Sequence, residues 1–122
     1  PASRLSSGGW TAIYVTAKSG HDGFFDGNYG NTLMLGTSTG NRLFDQIVTP
    51  EEMWSVDTKI DDGSPALGNV RVRWRVRDGN SCTAAADGTL HTGATAESSQ
   101  MDAKYYLAGT AVACTFAFPN VF

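Results

Sequence analysis

Asp57, Asp61 and Asp62 are the residues whose spacing comes closest to a chemical site. On a helix, positions 57 and 61 lie one turn apart on the same side, so two carboxylates meet there. With Asp62 and carbonyls of the following turn they form an oxygen-rich set of the kind that holds Ca²⁺. A structural reading competes with this one and is the stronger. In it, Asp57 pairs with Lys59, Arg42 or an arginine of a neighbouring strand, while Asp61 and Asp62 build the turn that leaves the helix. Carboxylates there face the negative end of the helix dipole and need a compensating partner.

A second constellation follows directly. Arg71, Arg73, Arg75 and Arg77 alternate with Val70, Val72, Trp74 and Val76. A period of two places the apolar side chains on one face of a strand and the four guanidinium groups on the other. Such a row could bind phosphates or DNA. Against this stand the net charge of −3 and the lack of interleaved exposed aromatics that would stack on bases. A subunit interface that supplies acidic partners to Arg71, Arg73, Arg75 and Arg77 is the preferred expectation.

The remaining reactive side chains are sparse. His21-Asp22 lies in a glycine-rich stretch and His91 in a polar one, neither beside a nucleophile in a known motif. No phosphate loop or metalloprotease signature is present. The expectation is therefore a protein without catalytic residues, not an enzyme. Cys82 and Cys114 have neither Cys-x-x-Cys spacing nor neighbouring histidines, which argues against zinc. One disulfide formed in an oxidising compartment is favoured over two separate buried thiols. The loop of about 30 residues that it closes would be worth roughly 3–4 kcal/mol in the chain-entropy model.

The elements that must carry these groups can be read from local signals. Thr49 is placed to cap a helix, Pro50 to occupy its first position, and Glu52 to complete a capping box. Gly63 and Pro65 end it. Between them Met53, Val56 and Ile60 recur at helical spacing beside Trp54, predicting an amphipathic helix over about 50–61. Residues 70–77 are the clearest strand, on whose Val/Trp face the helix would pack; the opposite face would be wet. Further strands are expected over 10–17, 31–36, 43–48 and 82–86. The run 101–108 is ambiguous between helical turn and strand. A last strand over 111–118 would set Val112, Cys114, Phe116 and Phe118 on one face, and a Cys82–Cys114 bridge would tie it to the middle of the sheet. Residues 18–30 read as a long turn region with Phe24, Phe25 and Tyr29 folded back over the core, and 89–100 as an exposed loop.

With 122 residues, 41% hydrophobic, 14 glycines and 17% charged residues, the chain fits one loop-rich α+β domain. Residues 1–9 read as a linker or flexible terminus and 10–122 as the domain. No signal peptide or membrane-length apolar run is visible, so the expectation is a mature, processed or truncated form.

Thr49-Pro50-Glu51-Glu52, Trp54, the run Asp57-Thr58-Lys59-Ile60-Asp61-Asp62-Gly63, then Pro65 and Gly68 resemble a segment of prepilin-class proteins. These are the type IV pilin and type II secretion pseudopilin subunits of Gram-negative bacteria. The later cysteine pair is similar to the disulfide that pins the C-terminal region of pilins. The resemblance is specific over the Asp-x-Lys-Ile-Asp-Asp-Gly-x-Pro run and general elsewhere. It implies an antiparallel sheet with one short helix, as in a pilin head. It also implies a homo-oligomeric extracellular filament reached through the periplasm, with a structural rather than enzymatic role and no cofactor.

Pilins begin with a long hydrophobic helix that this sequence lacks. The expectation is a head cut from its helix, or a split pilin whose helix is a separate small polypeptide. The alternative within the same resemblance is a minor tip pilin. It would act as an adhesin or DNA-binding module through the arginine row or the loop from His21 to Tyr29.

Overall fold

A computed structural model describes Leu5 and residues 7–15, 29–39, 42–73, 81–91 and 102–121. Strand β1 (Gly8–Val15), rich in aromatic and β-branched side chains, pairs antiparallel with β2 (Gly30–Thr39) along its whole length. Strand β3 (Arg42–Asp45) pairs with the far end of β2 across an irregularity at Thr37/Ser38. The helix α1 (Pro50–Ile60) follows, then β4 (Arg71–Arg73). Two short strands, β5 (Thr83–Ala84) and β6 (Lys104–Tyr105), form a separate antiparallel pair. Strand β7 (Thr115–Phe118) returns to the main sheet, whose order is β1-β2-β7-β4, with β3 on β2. The molecule is therefore α+β with antiparallel sheets and one helix. No helix among the described residues is long and apolar enough to cross a membrane.

Register decides which residues share a face. One cross-strand row reads Trp10, Leu35, Phe116, Val72 and the next reads Thr11, Met34, Ala117, Arg71. Successive residues of a strand point to opposite faces, so the two rows lie on opposite sides of the sheet. The first row meets Met53 of the helix, Ile47, Val48, Val70 and Tyr105 in the main core. Trp10, Phe116 and Phe118 pack there as a triangle with ring centroids 5.7–6.2 Å apart. That spacing suits edge and offset aromatic contacts. The second row holds a smaller cluster, Met34 and Ala117 with Ile13 and Tyr29 against it.

Several expectations need correction. The face opposite the main core is not simply wet. Met34 and Ala117 are fully buried on it, and the Arg71 guanidinium lies 5.6 Å over the Tyr29 ring. The helix does not bury the stripe Met53, Val56, Ile60. Met53 is fully buried, but Ile60 is 54% and Val56 37% exposed, and Pro50 and Asp57 are the other inward residues. Positions 53 and 57 are one turn apart, so the core-facing line runs through a carboxylate where the apolar pattern offered Val56.

Val112 does not join Cys114, Phe116 and Phe118, because Cys114 bridges Val48 before the regular strand begins at Thr115. The disulfide forms between Cys82 and Cys114, both fully buried, with Cα atoms 5.0 Å apart. Instead of reaching the middle of one sheet, it ties the entry to β7 to the small β5–β6 pair, because Cys82 directly precedes β5. Trp74 to Asn80, His21, Asp22, Phe24, Phe25 and residues 92–100 lie outside the described residues.

Candidate functional site

The helix that presents the aspartates starts as its sequence dictates. Thr49 Oγ1 accepts from the Glu52 N–H at 3.3 Å, and the Thr49 N–H donates to Glu52 Oε2 at 2.8 Å. Two orphan donors are thereby satisfied reciprocally. Its C-terminal end is built by the aspartates themselves. Asp61 is the C-cap, its N–H donating to the Asp57 carbonyl at 2.7 Å. The Asp61 carboxylate reaches the start of β4, where Oδ2 accepts from the N–H groups of Asn69 and of Val70, the latter at 2.8 Å. Oδ1 accepts from Asn69 Nδ2 at 3.1 Å. Asp62 Oδ1 accepts from the Ser64 N–H at 2.8 Å, a local turn of the type aspartate favours.

Gly68 makes this arrangement possible. Its φ is +69°, and a Cβ there would stand 2.1 Å from Asp61 Oδ2. Only a residue without a side chain fits both constraints. Gly63, at φ +73°, reverses the chain after the helix, and buried Pro65 accepts at its carbonyl from the Val72 N–H at 3.0 Å. Asp61, Asp62, Gly63, Pro65 and Gly68 thus form one hydrogen-bonded connection between α1 and β4. Lys59 is exposed in the last helical turn, where its charge complements the dipole.

Asp57 belongs to the core. It has no solvent exposure, and Oδ2 accepts from the Tyr105 hydroxyl at 2.6 Å. Oδ1 finds no hydrogen-bond partner among the described residues. Burial raises its pKa above the ordinary carboxylate value. The Tyr105 hydrogen bond and the Gly63 amide oppose this, while the charges of Asp62 and Asp61 add to it. Burial, and then the bond to Asp57, raise the Tyr105 phenol in turn. Carboxylate oxygens of Asp57, Asp61 and Asp62 lie within 4.8 Å of one another. Burial lowers the pKa of Arg71, and Asp62 and Asp61 pull it back up, so its charge is felt at the cluster. The expected pairing of Asp57 with Lys59, Arg42 or a sheet arginine is replaced by the phenol of Tyr105.

Trp54, half exposed, lines a surface depression of about 480 Å³ with Gly63, Ser64, Pro65, Tyr105 and Leu107. Arg73 belongs to β4 by its backbone, and Arg75 and Arg77 lie outside the described residues. Sequence reasoning missed Tyr105, which sits in the segment left ambiguous; no local signal names a partner 48 residues away. It also missed His91, which is buried with Nδ1 2.9 Å from Thr83 Oγ1. No protein-family model, curated protein or solved structure matches this chain.

Proposed function

We propose that the chain is the globular head of a structural subunit in an extracellular pilus or pseudopilus. Its hydrophobic helix would be supplied in cis or by a separate polypeptide. The supporting observation is the condition of the segment that carries the pilin resemblance. Asp57, Asp61, Asp62, Gly63, Pro65 and Gly68 are all engaged in closing the helix onto β4 or the core, while Thr58, Lys59 and Ile60 of the same run are exposed. Residues spent in this way hold shape, as a repeating building block requires. A buried disulfide between the two sheets serves the same end in an oxidising compartment. Arg71 is half-buried over Tyr29 and therefore poorly placed to anchor a nucleic-acid strand. The subunit-contact role proposed for the row accordingly falls on Arg73, Arg75 and Arg77.

Recovery of filaments tests the reading. In cells that express the gene, mechanical shearing should release filaments in which this polypeptide is a stoichiometric component, and deleting the gene should abolish them. Filaments of unchanged yield and composition after deletion would refute it.

A further inference from the structure

We propose that strand β1 pairs edge to edge with β1 of a second copy of this chain, antiparallel about a two-fold axis at Ala12. The pairing is a property of the polypeptide alone in solution and does not depend on the structural-subunit reading. Strand β1 stands at one end of the main sheet, and among the described residues it pairs with β2 alone. Alternate residues of an antiparallel strand turn their N–H and C=O groups toward each neighbour in turn. Half of the backbone groups of β1 therefore point away from β2, where a further strand would take them up.

Edge strands are ordinarily blunted by shortness, by charged side chains, by proline or by a bulge. Strand β1 has eight residues, holds neither a charged residue nor proline, and keeps one unbroken register with β2 from Gly8 to Val15. The other end of the sheet shows the contrast: β4 is three residues long, and two of them are arginines. It is too short and too charged to pair with all of β1. The edge that matches β1 in length and polarity is β1 itself, which gives the two-fold contact commonest among homo-oligomers.

A two-fold axis perpendicular to the sheet keeps the same faces aligned, so directly opposed residues share a face. With the axis at Ala12, that residue opposes its own copy, Thr11 opposes the partner's Ile13, Trp10 the partner's Tyr14 and Gly9 the partner's Val15. Aromatic and β-branched pairs are the favourable kind, and no like charges meet. The pairing also accounts for Tyr14. It is 65% exposed, the most exposed of the large hydrophobic side chains among the described residues. Yet it lies on the same face of β1 as Trp10, which packs against the main core. In the dimer the partner's Trp10 covers it, and symmetry makes the contact twice. One strand edge is a small contact, which places the complex among weak dimers in the micromolar range.

The test is sedimentation velocity of the full chain from about 1 µM to about 1 mM. The expected result is a reversible shift from monomer to dimer without larger species. Ala12→Lys and Ala12→Glu each set like charges face to face at the axis, and each should stay monomeric across the range. Mixed in equal amounts they oppose lysine to glutamate and should restore the dimer. Ala12 is exposed, so both variants keep the monomer fold. Should either fail to fold, Tyr14→Ser at a residue already open to solvent should weaken dimerisation about tenfold or more. A monomer at every concentration, an open-ended polymer, or a dimer indifferent to these substitutions would overturn the proposal. So would a mixture no more dimeric than either Ala12 variant alone. No filament enters the measurement, so its failure leaves the filament reading to its own test.

Discussion

The Tyr105 hydroxyl donates to Asp57 Oδ2 at 2.6 Å across 48 residues of sequence, and both side chains are buried. This bond joins the only inward-facing carboxylate of α1 to strand β6 of the small sheet. Cys82 precedes the other strand of that sheet and is bridged to Cys114 at the entry to β7. The helix and the main sheet are thus each attached to the β5–β6 pair, one by a hydrogen bond and the other covalently. Two strands of two residues each are too short to be stable alone. These attachments account for their presence.

Tyr105→Phe should destabilise the protein by about 1–3 kcal/mol, because the buried Asp57 carboxylate would then lose its hydrogen bond from the phenol. Urea unfolding measured in EDTA gives the number directly. An unchanged midpoint would show that water reaches Asp57.

Gly68→Ala and Gly88→Ala form a matched pair. Both glycines have positive φ, +69° and +88°, but a Cβ at Gly68 meets the Asp61 carboxylate whereas one at Gly88 meets nothing within 4 Å. Backbone strain alone should cost about 1 kcal/mol at Gly88. The cost at Gly68 should exceed it by about 1–3 kcal/mol, since the steric conflict also removes hydrogen bonds to Asn69 and Val70. Equal losses would mean that the Asp61 carboxylate does not hold the turn.

The pH dependence of stability should carry a signature of His91. Burial lowers its pKa below the usual 6.5, while Asp102 and Asp87 pull the other way without cancelling the effect. A histidine favoured neutral in the fold contributes stability that is fully present above its unfolded pKa. That contribution is lost as pH falls through the lowered folded value. Denaturation midpoints should therefore drop as pH decreases from about 6.5, and His91→Asn should remove that part of the slope. A slope identical in the variant would assign the loss to other groups.

How much of this was visible in the residues depends on how local the cause is. The helix ends were legible because Thr49, Pro50, Glu52 and Gly63 act on backbone groups only a few residues away. Its buried face was not. Periodicity ranks side chains by polarity, and Asp57 occupies a core position because a phenol far along the chain satisfies it. The two cysteines were correctly paired, but which sheets they join depends on β5–β6, whose strands are too short to leave a pattern. Val112 looked like the start of a strand, whereas the chain first makes its bridge to Val48. The acidic cluster could be located from spacing alone. Its unsatisfied oxygen could not, since that is a property of packing.

Electron microscopy of sheared surface filaments, decorated with an antibody raised against the exposed Val56 and Ile60 face of α1, addresses the structural-subunit proposal most directly. Regular labelling along the whole filament shaft is the expected result. Filaments that remain bare along the shaft, with the polypeptide recovered elsewhere in a denaturing control, would contradict a building-block role.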